Sequence, residues 1–283
     1  MAIEVSLAVL LAALLHAAWN AMIKGGSDVL LDTAAIVAGA GVVALPFVFI
    51  VPPPSPASWA YIAASAVTHL AYYFFMVSAY RSGDLTLVYP LMRGAAPLLT
   101  GVLAIVWLRE WPGAAGWLGM LLISVGVIAL ALRPAPLGSA LHGHARAVGF
   151  ALANAVVIAI YTIIDGSGAR LAGNAWSYIV WLFVLDALPF SLYMFATRGR
   201  RFATALAERL TRGMVGGGLS AAAYAISVWA MTKAPVALVA SLRETSVLFA
   251  TLIGARVLNE HLTPRRWAGI AAVVAGVIAL KSA

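Results

Sequence analysis

Short clusters of charged and turn-forming residues cut the chain into ten apolar stretches. They lie near 4–23, 31–51, 58–80, 85–108, 113–132, 147–167, 174–196, 213–232, 235–257 and 265–281. Each is close to the roughly 20 residues an α-helix needs to cross the hydrocarbon core of a bilayer. Strands of a membrane barrel alternate polar and apolar positions over about ten residues. These runs are longer and do not alternate, so the pattern predicts helices, which satisfy their backbone groups within the segment. Most connections are very short, and Pro52-Pro53-Pro54-Ser55-Pro56 cannot be helical. Only the connections near 133–146 and 197–212 are long, and neither has room for a soluble domain. The first stretch lacks a basic leader and carries His16, Trp19 and Asn20, so it reads as a retained helix rather than a cleaved signal peptide.

Composition sharpens this picture. Of 283 residues, 63% are apolar and 10% charged, against about 45–50% and 25% in soluble domains. That excess cannot be hidden in one water-soluble globule, which excludes a soluble enzyme, a nucleic-acid binder and a disordered chain. The net charge of +8 reads as loop charge facing an anionic leaflet. Twelve of the 18 Lys and Arg fall on one side of the ten stretches, four on the other, and Arg93 and Arg243 lie inside stretches. The positive-inside bias therefore predicts an inner-membrane protein with both termini periplasmic. There is no cysteine, which removes disulfides and thiolate chemistry.

The chain also repeats itself. Shifted by 150 positions, Arg93 meets Arg243, Glu110 meets Glu260, Trp117 meets Trp267 and Gly119 meets Gly269; Gly126-Val127-Ile128-Ala129-Leu130 meets the same five residues at 276–280. The expected division is a five-helix half over 1–132, a loop over 133–146 and a second half over 147–283. An odd number of spans inserts the second half upside down, the arrangement secondary transporters use to build a substrate site near the midplane. The expected fold is therefore an all-α integral membrane protein of ten transmembrane helices in two inverted five-helix repeats.

Three motifs then resemble the EamA family of the drug/metabolite transporter superfamily. They are His16-Ala17-Ala18-Trp19-Asn20 with Lys24, the run Gly83-Asp84-Leu85-Thr86-Leu87-Val88-Tyr89-Pro90-Leu91, and Glu110 with Trp117, Gly119 and Gly126, repeated in the second half. The resemblance covers the whole chain. It implies a multi-pass inner-membrane carrier of small metabolites, often an exporter, and many members carry cytoplasmic termini where the charge count here gives the reverse.

Polar residues inside the stretches mark the candidate site. Arg at the centre of a span costs about 2.5–3.5 kcal/mol on insertion scales, yet Arg93 and Arg243 each sit about 12 Å in, at about 1.5 Å per residue. They suit a carboxylate or phosphate; equally, Arg93 could pair with Glu244 and Arg243 with Asp186. Pro90 and Pro97 are expected to loosen the fourth helix beside Arg93 and to serve in gating. Helical spacing puts His16, Trp19, Asn20 and Lys24 on one face, and His69, Tyr72, Tyr73, Met76 and Tyr80 on another. Asn154, Tyr161, Thr162 and Asp165 share a face of the sixth helix, as do Ser220, Tyr224 and Ser227 in the eighth. Lipid cannot satisfy such groups, so these faces look inward, around a cavity or as interhelical glue. The candidate substrate-binding set is Arg93, Arg243, His16, Trp19, Asn20, His69, Tyr73, Tyr89, Tyr161, Tyr224 and Glu244. Aromatic residues near span ends, Trp111, Trp176, Tyr178 and Trp267 among them, suit an interfacial belt.

The expected activity is secondary transport of a small polar metabolite with an anionic group, an amino acid or related carboxylate, by alternating access. Carriage of a phosphate, phosphonate or amine compound is the alternative, with an integral-membrane enzyme or a channel behind it. No nucleotide loop, paired-His metal motif or nucleophile elbow is present, so no catalytic residue, metal or cofactor is expected. The partners expected are the substrate, the bilayer and a coupling proton on a group such as His16, His69, Asp165, Asp186 or Glu244. Oligomeric state is left as monomer or weak homodimer.

Overall fold

The computed structural model describes residues 1–24, 28–83, 85–131, 145–257 and 263–283. The loop expected at 133–146 therefore falls mostly outside the described residues, as do Asp84 and Glu260. Among the described residues twelve α-helices carry the fold: α1 (Ile3–Lys24), α2 (Val29–Ala44), α3 (Trp59–Ser82), α4 (Leu85–Leu103), α5 (Gly113–Ala131), α6 (Ala145–Leu171), α7 (Ala175–Arg198), α8 (Arg200–Glu208), α9 (Leu210–Met231), α10 (Val236–Arg243), α11 (Ser246–Val257) and α12 (Pro264–Lys281). No strand occurs among the described residues. Side-chain caps set several starts: Asp28 Oδ1 accepts from the Leu30 and Leu31 N–H groups, and Asn174 Oδ1 from that of Trp176.

Nine stretches among the described residues are long and apolar enough to cross a membrane, the ninth spanning α10 and the start of α11. Helix α12 holds 18 residues but carries Arg265, Arg266 and Lys281 at its ends, and is not one of the nine. Large apolar side chains such as Leu7, Val106 and Leu192 stand exposed on the outside, where lipid would cover them.

The packing exchanges partners between the halves. Helix α3 lies on α6 as α9 lies on α1; α4 lies on α6 as α10 and α11 lie on α1; α5 lies on α12, its own counterpart. The α5–α12 seam shows the symmetry at atomic scale. A Cβ on Gly126 would lie 2.8 Å from Gly269 O, and one on Gly276 would lie 2.8 Å from Gly119 O. Gly119 and Gly126 are the 150-offset partners of Gly269 and Gly276, so each glycine faces the equivalent of the other. The helices therefore run antiparallel about a two-fold axis across them, and the second half is inverted. Only glycine allows backbones so close, as expected of small-residue seams in membranes.

Three features depart from the pattern read in the sequence. Helix α4 runs unbroken through Pro90 and Pro97 and closes in a π turn over Ala104–Leu108. The interruption lies in the ninth stretch instead, between Arg243 and Ser246, where no proline stands. The connection at 197–212 contains α8, whose buried Phe202 and Ala205 form one face against the bundle, while Arg200 and Arg201 stay exposed.

Candidate functional site

A cavity of about 250 Å³ lies between the halves. Its lining on α1, α2 and α4 comes from the portions nearer Lys24, Val29 and Leu85, while that on α6 and α9 comes from the portions nearer Leu171 and Met231, so the cavity sits near mid-depth. The ends at Lys24, Val29 and Leu85 mark the arginine-rich side of the bundle. The other side is closed by a dense apolar cluster including Val5, Val9, Ala104, Ile163, Met231 and Val236.

Polar ties fasten that closed side. Glu110 binds Arg170 at 2.7 Å, and its other oxygen accepts from the Val236 N–H at 2.8 Å, capping α10. Arg170 also donates to the carbonyls of Met231 and Ala234. The proline-rich connection joins the same corner, since Ser55 donates through its hydroxyl to Leu171 O at 2.5 Å and through its N–H to Ala172 O.

Ten of the eleven candidate binding residues line the cavity: His16, Trp19, Asn20, His69, Tyr73, Tyr89, Arg93, Tyr161, Tyr224 and Arg243. Glu244 does not; it stands behind Arg93, with Oε2 2.7 Å from Nε, and both side chains are deeply buried. The inward face of α3 reaches the cavity whole, with Tyr72, Met76 and Tyr80. Lys24 has no described side chain. Pro90 and Pro97 lie within α4 and do not line the cavity.

The two arginines are not equivalent. Arg93 has Glu244 as counterion. Arg243 is 3% exposed, makes no ion pair among the described residues, and its Nε has no hydrogen-bond partner. Its guanidinium carbon stands 5.5 Å from the centroid of the Tyr224 ring, a cation–π contact. The Arg243–Asp186 pair weighed from sequence does not form; Asp186 faces His69 at 3.4 Å.

The polar face of α6 divides its work. Tyr161 lines the cavity, while Asn154 donates to Met92 Sδ and Thr162 to its own helix at Ile158 O. Asp165 accepts from Tyr178 Oη at 2.8 Å and from Tyr224 Oη. Tyr178 is therefore wholly buried and structural, not part of an interfacial belt. Ser220 lines the cavity and Ser227 bonds its own helix at Ala223 O. The sequence reading missed the α2 wall of Thr33, Ile36 and Val37, and Leu182 and Phe183 on α7. Apolar positions that face a cavity look the same in sequence as those that face lipid.

The cavity thus presents a cationic pole at Arg243, an acidic group at Asp186 and aromatic walls between them. It can hold a small molecule that carries both charges. Among the described residues no three His, Cys, Asp or Glu converge to hold a metal ion.

Comparison with known proteins agrees with this architecture. A solved crystal structure, described only as that of a protein, is 19% identical over 98% of both chains with a TM-score of 0.74. At that identity the likeness speaks to the fold alone. No curated protein matches the chain significantly. The sequence model of the EamA-like transporter family matches residues 4–132 and 145–281, one match per half. The chain belongs to the EamA-like transporter family, a branch of the drug/metabolite transporter superfamily, and is a multi-pass membrane protein.

Proposed function

We propose that the protein is a secondary transporter of a small zwitterionic metabolite, an amino acid or close relative, that works by alternating access. The carrying observation is Arg243: a buried guanidinium with no ion pair among the described residues, on the wall of a cavity between two inverted halves. A buried arginine without a counterion is costly in a membrane, and a substrate carboxylate repays that cost with bidentate hydrogen bonds. Asp186 at the same cavity favours a ligand that also bears an amine, and disfavours an organophosphate, whose charge it would repel. In this reading α12 is the tenth span, its charged ends snorkelling to either surface. The arginine-rich side is cytoplasmic by the positive-inside rule, both termini are periplasmic in an inner membrane, and the structure is the inward-facing state. Export is the direction we assign. Residues 1–132 and 147–283 act as the two rocking halves, with Pro90 and Pro97 within the moving α4.

The test is a thermal-shift screen of purified protein against amino acids, polyamines and organophosphates, since a ligand of the folded state raises the melting temperature. Amino acids should stabilise the wild type and not Arg243→Ala, and counterflow of the stabilising amino acid in proteoliposomes should vanish in that variant. Stabilisation by polyamines or organophosphates alone, or counterflow intact in Arg243→Ala, overturns the reading.

A further inference from the structure

On the other flank of Tyr224 lies a group of side chains to which anion binding gives no work. His69 Nδ1 on α3 stands 3.1 Å from the Ser65 carbonyl oxygen and 3.4 Å from Asp186 Oδ1 on α7. A carbonyl oxygen only accepts, so Nδ1 carries the hydrogen. The imidazole stacks on Tyr161 of α6 at 4.3 Å and meets Tyr224 of α9 edge-on at 6.0 Å. Asp165 of α6 is fully buried with both oxygens held by the hydroxyls of Tyr178 and Tyr224. Tyr72 and Tyr73 complete the titratable surroundings on α3, and the cations of the same cavity are Arg93 of α4 and Arg243 of α10, the latter over the Tyr224 ring.

Neither Asp165 nor Asp186 has an Arg or Lys ion pair among the described residues. Two carboxylates against one imidazole leave excess negative charge at a depth where uncompensated charge is expensive. A substrate amine meets that charge only while substrate is bound, so a second small cation is needed when the cavity is empty. A metal ion does not fit: no three suitable ligands converge, and the Asp165 oxygens already accept from tyrosines.

The geometry points to a proton-binding site formed by Asp186, His69 and Asp165, loaded from the cavity through Asp186 and linked to the anion pole at Arg243 through Tyr224. Loading adds one proton from cavity water to the Asp186 carboxylate or to His69 Nε2, and no covalent bond to substrate forms. Tyr224 is the joint, since its hydroxyl binds Asp165 while its ring underlies Arg243. Only the coupling role rests on the transport reading; the proton site does not.

The test uses protein labelled with ¹⁵N-histidine in lipid nanodiscs, titrated by NMR in choline chloride, with His69 assigned through H69Q. The readout is the pH response of the His69 ring nitrogens. Its midpoint should fall by about one unit or more in D186N and in D165N, because removing a negative neighbour disfavours the imidazolium. An unchanged midpoint in both variants overturns the site, as does a His69 that never titrates in wild type. A midpoint displaced when sodium replaces choline overturns the proton as the ligand. In proteoliposomes, amino-acid counterflow at equal pH tests transport alone, and an imposed pH gradient at zero potential should raise net flux in wild type and not in D165N. Absent counterflow with the NMR shifts intact defeats the transport reading and supports the site; normal counterflow with no NMR shift does the opposite.

Discussion

Arg93 and Glu244 sit 2.7 Å apart with 5% and 2% of their side chains exposed. Removing one member of such a pair strands the other charge out of water, which costs about 3–5 kcal/mol. Arg93→Met and Glu244→Gln should each lose about that much. The double variant strands neither charge, and replacing both members of a buried pair is often close to neutral. It should therefore recover at least about 2 kcal/mol relative to the sum of the single losses, the range seen for residues in direct contact. Reversible denaturation in mixed micelles, followed by tryptophan fluorescence, measures all four corners of the cycle. Additive losses would refute the reasoning, because they would mean that the pair has no interaction to lose. The same cycle separates the two roles open to Arg93. A double variant that regains both stability and transport assigns Arg93 to holding Glu244; one that is stable and inactive assigns it to the substrate.

Other outcomes follow from the seam, the closed side and the charge bias. Gly126→Val puts a Cβ 2.7 Å from Val273 Cγ2 and 2.8 Å from Gly269 O, so overpacking should cost about 1–3 kcal/mol, read as a lower melting temperature. Glu110→Gln weakens the tie to Arg170 and the cap on α10, worth about 0.5–2 kcal/mol for the cap; hydrogen exchange at the first amides of α10 should quicken while the α5–α12 seam stays protected. On the proposed orientation, with the arginine-rich side cytoplasmic and the C-terminus periplasmic, alkaline phosphatase fused after Ala283 should be active; an inactive fusion with an intact bundle reverses that orientation.

The architecture was legible because a bilayer leaves few choices. Uninterrupted runs near 20 residues can only be helices there, and the glycines that match at an offset of 150 are those that meet across α5 and α12. The α3 face was legible for the same reason: His69, Tyr72 and Tyr73 need polar company that lipid cannot give, so their spacing alone turned them inward. The α2 wall was not, since Ile36 and Val37 serve equally well against lipid or a cavity. Pairings were only half legible. Arg93 with Glu244 was one of two arrangements weighed, and the structure forms it; Tyr178 looked like a belt residue because its partner, Asp165, sits 13 positions away on another helix. The break after Arg243 went unseen because proline was taken as its signal. Helix α4 absorbs two prolines without breaking, packed between α5 and α6, whereas the ninth stretch opens at Glu244-Thr245, where the buried carboxylate is drawn to Arg93.

That contrast between α4 and its counterpart has a mechanical meaning. One molecule displays two shapes of the same duplicated segment, continuous in the first half and parted in the second. Were the halves to trade shapes about their two-fold axis, the hollow would close at its present mouth and reappear at the opposite face of the membrane. On the proposed transport cycle, each half is thus a template for what the other becomes, and the alternate form is this one with the two shapes exchanged.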